Sequence, residues 1–367
     1  GTDVPHYVKY LNDMLNSNST GALSIAAKDD RFLYLIFQYL CFLFSGLSAQ
    51  VFVTFVMPVV LTFLLMFATF LLIRIGGSKP HAFTATLVTA FSFQVTVGIC
   101  AGFYANWFAL TFVYIFYGLL ITVLRKRKNR GLMMLAMLSS IAVLFIHPWT
   151  WILLVLMIVI AILFVTLLFN QSRKINLRRY FWEIKFLSIV LMVNLVMFYI
   201  KGFLGVGSGA RLVDGYVDVQ TFQPSILNVF NLKYFLDWTF NWYVGGFYSH
   251  IPTIILAILG VFSILDYEDH YNRLLLTWIL IDSAMAFVNY PWHARFLYMT
   301  PFNIYLTLGI HGGAKQLSKL AESTRLKYIS SLIFWVFYAL SIIILLNYTL
   351  RCITIKQFGP SGLTLIT

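Results

Sequence analysis

The stretch VFVTFVMPVVLTFLLMFATFLLI, residues 51–73, decides the fold class. No charged side chain interrupts it before Arg74. As a helix it would reach about 34 Å, more than the ~30 Å hydrocarbon core of a bilayer. Its apolar residues run on without alternating with polar ones. That is the pattern of a membrane helix and not of a barrel strand.

Working outward, the composition of the whole chain agrees. Of its 367 residues 60% are hydrophobic and 11% are charged, and the mean hydropathy is +0.84. A soluble chain carries roughly 25% charged residues. The net charge of +13 does not point to nucleic acid. The cations gather in short loops beside apolar runs, as the positive-inside bias requires. Cys41, Cys100 and Cys352 lie scattered in or near apolar segments, a spacing that suggests neither a metal site nor a disulfide framework. Gly1 is not a methionine, and a segment upstream of it is expected.

Further spans are expected near 81–99, up to 123, at 132–146, 150–169, 186–203, 250–265, 274–289, 295–311 and 329–349. The expected fold is thus all-α, a polytopic bundle of about ten spans with added juxtamembrane helices. Its divisions are an external loop over 1–50, a transmembrane domain over 51–349 with an external loop at 204–249, and a tail over 350–367. Thr84, Thr86, Ser92 and Gln94 are expected to face other helices. The most basic loop, 124–131, fixes the cytoplasmic side. Alternation then places 147–149, 204–249, 290–294 and the tail outside. Residues 1–50 join them only if the apolar run at 32–47 does not cross. Its length suits an in-plane or re-entrant helix.

This alternation brings acids, bases and cations to one face. They include Asp3, His6, Tyr7, Asp29, Asp30, Tyr104, Asn106, His147, Lys201, Asp214, Asp218, Asp237, His250, His293 and Arg295. Such a mixture points to chemistry or ligand binding there. No internal repeat, Gly-rich phosphate loop, zinc-spaced cluster or serine-nucleophile elbow stands out.

Several stretches resemble the GT-C class of glycosyltransferases. The opening Gly-Thr-Asp-Val-Pro-His-Tyr is similar to the start of that family's first external loop. Residues 31–46 are similar to the juxtamembrane helix that closes it. Gly102 to Trp107 and His147 to Trp151 match motifs of bacterial and archaeal members. Asn289 to Pro301 resembles the late motif in which an arginine begins a helix. The resemblance implies a membrane enzyme that moves a sugar from a polyprenyl-phosphate donor to an acceptor hydroxyl at the outer or lumenal face. It gives Asp3 the role of base and Arg295 that of holding the lipid phosphate. It also implies a first transmembrane helix just upstream of the chain. The Trp-Trp-Asp motif of oligosaccharide transferases and the Asp-Glu pair of protein mannosyltransferases are absent from the sequence, which leaves the acceptor open.

Each candidate has a plainer reading. Asp3 before Pro5 also suits a helix start. Arg295 and His293 suit an interfacial anchor. His147 before Pro148 suits a local cap. Tyr104 and Asn106 line either a cleft or a helix contact. Asp214, Asp218 and Asp237 would hold a divalent cation or simply face water. Asp282, within a span, is costly there and should face the interior. The competing functions are a transporter or lipid flippase using Asp282, and an inactive scaffold.

Overall fold

The computed structural model describes residues 3–77, 79–126, 129–171, 177–207, 250–265, 269–285, 298–323 and 329–354. Among the described residues every regular element is a helix. Six helical stretches are long and apolar enough to cross a membrane. They are Ala49–Gly76, Lys79–Ile99, Tyr104–Lys126, Pro148–Leu167, Tyr180–Phe203 and Ser330–Leu350. The protein is therefore an all-α membrane protein.

Three short helices come first. α1, Val4–Leu15, starts with Pro5 in its first turn, where a missing amide costs nothing. It buries Val4, Tyr7, Leu11 and Met14, one stripe at helical spacing. α2, Ser19–Lys28, is capped by Asn18, whose side chain accepts the Gly21 amide at 2.7 Å. α3, Phe32–Leu43, has 12 residues, about 18 Å of helix, well short of a hydrocarbon core.

α4, Ala49–Gly76, holds a π-helical turn at Phe52–Val56 just before Pro58. The wider register meets the proline's missing amide without breaking the helix. The expected span at 81–99 is two helices, α5 (Lys79–Ala90) and α6 (Phe93–Ala101). They part at Ser92, whose backbone is extended. The polar residues here face inward. Gln94 donates to the Thr300 carbonyl, and Tyr298 returns a bond to the Gln94 carbonyl at 2.8 Å.

α7, Tyr104–Lys126, is the axis of the bundle. Nearly all of it is buried, as a helix apolar on every side must be. It packs against α4 and against α8, Arg130–Ile146. α9 (Pro148–Gln171) and α10 (Leu177–Phe203) pair beside them. α11 (Ile251–Phe262), α12 (His270–Met285), α13 (Phe302–Ser323) and α14 (Ser330–Thr354) complete the described helices. A polar knot ties the centre together: Tyr114 donates to Asn303 at 2.6 Å, and Asn303 donates to Thr69 and Thr89 at 3.1 and 3.0 Å. Where α11 crosses α13, Gly260 and Gly309 let the backbones touch. A Cβ on either would fall 1.8 Å from a carbonyl oxygen of the other helix.

Two ends are marked by charge. At one, Arg125 closes α7 on the Ile75 carbonyl (2.6 Å) and Asp269 (2.9 Å). The same end holds Glu183, His270 and Arg273, all buried. Helices α1 to α3 gather at the opposite end, against the start of α7 and the close of α8.

Candidate functional site

The first link in the site is Gly102, which ends α6 with φ +75°. Its bare α-carbon lets the turn into α7 lie against the start of α1. A Cβ there would be 3.3 Å from the backbone nitrogens of Asp3 and Val4. Tyr104 then stacks on Tyr7, ring centroids 5.6 Å apart and nearly parallel. The Ala105 amide donates to the Tyr7 hydroxyl at 3.4 Å. The opening of α1 is thus seated on the opening of α7.

Asp3 precedes α1, and its side chain makes no capping bond. The carboxylate is free of the plainest structural duty a helix-start acid can have. Its Oδ2 lies 3.5 Å from Arg31 Nη1, while its Oδ1 accepts no hydrogen bond from any described residue. About a third of the side chain is exposed.

Arg31, at the start of α3, ties the site together. The same Nη1 donates to the Tyr7 hydroxyl at 3.0 Å, and the guanidinium lies over the Tyr7 ring, 5.5 Å from its centroid. Its Nε faces Asp30 at 3.8 Å. Sequence reasoning quoted Arg31 only as the first residue of the 31–46 stretch. A contact to Asp3 across 28 positions leaves no periodic signal.

The adjacent acids Asp29 and Asp30 have opposite environments. Asp29 is buried and spends both oxygens, on the Arg31 amide (2.8 Å) and on His6 Nε2 (3.3 Å). Burial alone would raise its pKa. The His6 bond and the Arg31 charge and amide outweigh that and hold the carboxyl well below the usual carboxylate range. Asp30 is raised instead, first by burial and then by the Asp29 charge, with Arg31 offsetting only part. His6 also packs its ring on Tyr10, 4.6 Å between centroids.

Lys201, near the end of α10, closes the far side. It donates to the Asp30 carbonyl (3.2 Å) and the Leu144 carbonyl (3.0 Å), and sits over the Phe145 ring. The Gly207 amide donates to the Ala27 carbonyl at 2.8 Å. The corner between α2 and α3 is therefore bolted to the ends of α8 and α10.

The structure brings Asp3, His6 and Tyr104 into one neighbourhood. Asn106 is buried two residues beyond Tyr104. His147 lies at the junction of α8 and α9 and turns inward. Its Nδ1 accepts the Thr150 amide (3.2 Å) and lies 2.9 Å from the Thr150 hydroxyl. That is the local capping role. His250, before α11, makes no side-chain cap; its Nδ1 bonds the Thr253 hydroxyl and its Nε2 lies 3.1 Å from Asn347 Oδ1. His293 and Arg295 lie outside the described residues, as do Asp214, Asp218 and Asp237. Among the described residues no three His, Cys, Asp or Glu side chains form a group that would hold a metal.

Chemically, the described residues offer a carboxylate with one oxygen they leave unbonded, paired with a guanidinium, beside a pair of acids in unequal states. No protein-family model matches this chain, and no curated protein matches it.

Proposed function

We propose that the protein is a polytopic membrane glycosyltransferase of the GT-C kind. It spans the cell membrane about ten times and moves a sugar from a polyprenyl-phosphate donor to an acceptor hydroxyl on the outer or lumenal face. The observation that carries this reading is the state of Asp3: not spent as a helix cap, one oxygen unbonded by any described residue, at the end of the bundle opposite Arg125 and Asp269. A general base needs just such an available oxygen.

In the reaction, Asp3 accepts the proton of the acceptor hydroxyl. The acceptor oxygen forms a bond to the anomeric carbon as the bond from that carbon to the phosphate oxygen breaks. The electron pair leaves with the polyprenyl phosphate. The resemblance of Asn289 to Pro301 to the late motif assigns Arg295 to that phosphate. The six apolar stretches support a lipid-borne donor.

The test is Asp3→Asn in proteoliposomes carrying a polyprenyl-phosphate mannose, with release of polyprenyl phosphate as the readout. The variant should fold and insert as the wild type does and lose release by at least about 100-fold. Full release from that variant removes Asp3 from the mechanism.

A second reading, a transporter or flippase, draws on Asp282. It is buried in α12 beside the Thr300 side chain, and among the described residues no cation pairs with it. Buried ionisable groups inside a bundle commonly line transport paths. Substrate flux that survives Asp3→Asn and stops in Asp282→Asn would favour this reading.

A further inference from the structure

The catalytic reading leaves a question of geometry. A carboxylate at the very start of a helix, a third exposed, has freedom to swing. A base that swings spends little time within reach of the acceptor proton. Something must fix it, and among the described residues Arg31 is the side chain that pairs with it. We infer that Arg31 is the positioning residue for Asp3, gripping Oδ2 so that Oδ1 faces the acceptor hydroxyl; this rests on the transferase reading above.

Three features argue for it. First, the grip is one-sided: Arg31 meets Oδ2 alone, at 3.5 Å. A bidentate clamp would occupy both oxygens and silence the base. Second, Arg31 is itself pinned. The Tyr7 hydroxyl takes the same Nη1 at 3.0 Å and the Tyr7 ring lies beneath the guanidinium. Tyr7 in turn is held by Tyr104 and by the Ala105 amide. A continuous chain of contacts runs from the axial helix α7 to the carboxylate. Third, the Arg31 charge is shared. Asp30 faces its Nε at 3.8 Å, and the charge of Asp29 acts on it as well. A guanidinium divided among acids spends only part of its charge on holding Asp3 in place.

The experiment uses the full chain in proteoliposomes with the polyprenyl-phosphate mannose donor. It compares wild type, Asp3→Asn, Arg31→Gln and Arg31→Lys for kcat and KM of polyprenyl phosphate release. Folding of each is checked by melting midpoint. Arg31→Gln should lower kcat about 100-fold, the cost of a misplaced group, and leave KM within about threefold. Arg31→Lys keeps the charge but loses the planar group over the Tyr7 ring and the Nε that faces Asp30, so it should recover to about tenfold below wild type. A folded Arg31→Gln with wild-type kcat, or one that loses activity through KM, overturns the positioning role and leaves the transferase reading intact if Asp3→Asn is dead. Should Arg31→Gln fail to fold, Arg31→Lys decides: wild-type kcat in that variant overturns the role. An active Asp3→Asn, or a wild type that releases nothing, overturns the transferase reading and this role with it.

Discussion

Arg31 and Arg273 each sit among acids, at opposite ends of the bundle. Arg273 turns Nη2 onto both oxygens of Glu183, at 2.8 and 2.6 Å, and lies 2.7 Å from His270 Nδ1. Both partners are 1% exposed. Arg31 instead reaches two carboxylates at 3.5 and 3.8 Å, each about a third exposed. In the first cluster both oxygens of the acid are bonded and water is shut out. In the second, contacts are long, one oxygen of Asp3 is unbonded among the described residues, and neighbouring acids are driven in opposite directions. The first is what a fold needs to hold a charge in its interior. The second is what a reaction needs to have a charge at hand.

The largest test of that contrast is Glu183→Gln. It leaves Arg273 buried without its counter-charge and should cost about 3–5 kcal/mol in thermal unfolding in detergent. Replacing the pair together, Glu183→Leu with Arg273→Met, should recover most of it. A Glu183→Gln protein that melts with the wild type would erase the distinction between the two ends.

Asp29 and Asp30 sharpen the contrast within the site. Asp29→Asn loses charge-assisted bonds and should cost about 1.5–3 kcal/mol. Asp30→Asn should be nearly neutral. Their pH signs are opposite. The folded pKa of Asp29 is lowered, so its contribution is complete above the ordinary carboxylate value of about 4 and is lost as the pH falls further. That of Asp30 is raised, so its contribution is present at low pH and is lost as the pH rises through the raised value. Melting curves from pH 3 to pH 8 on the two single variants would check both signs.

The smallest effect is expected at the exposed pair of Arg125 and Asp269. Asp269→Asn should cost less than about 1 kcal/mol, and the difference should vanish in high salt. A larger, salt-resistant loss would place this pair with Glu183 and Arg273.

The membrane class was legible because an apolar run is a local property that each segment declares alone. That Asp3, Asp29, Asp30 and Lys201 belong at one end was legible too, since alternation of runs and basic loops carries side from loop to loop. What joins them was not. Arg31 meets Asp3 across 28 positions and Arg273 meets Glu183 across 90. No period or spacing encodes such a meeting. The break at Ser92 was hidden because its polar neighbours read equally well as the inward face of one continuous helix. His147 was readable as a cap because its partner, Thr150, is only three residues away.

The crossing of α11 and α13 sets a limit on movement. Each glycine's α-carbon rests on a peptide oxygen of the other helix. Shifting either helix by one residue would drive a methyl or larger group into that oxygen. The two behave like meshed gears with a single shared tooth gap, free to turn as a unit and barred from slipping. Small residues at such contacts give membrane helices their tightest unions. Any movement of these helices must therefore carry the pair whole.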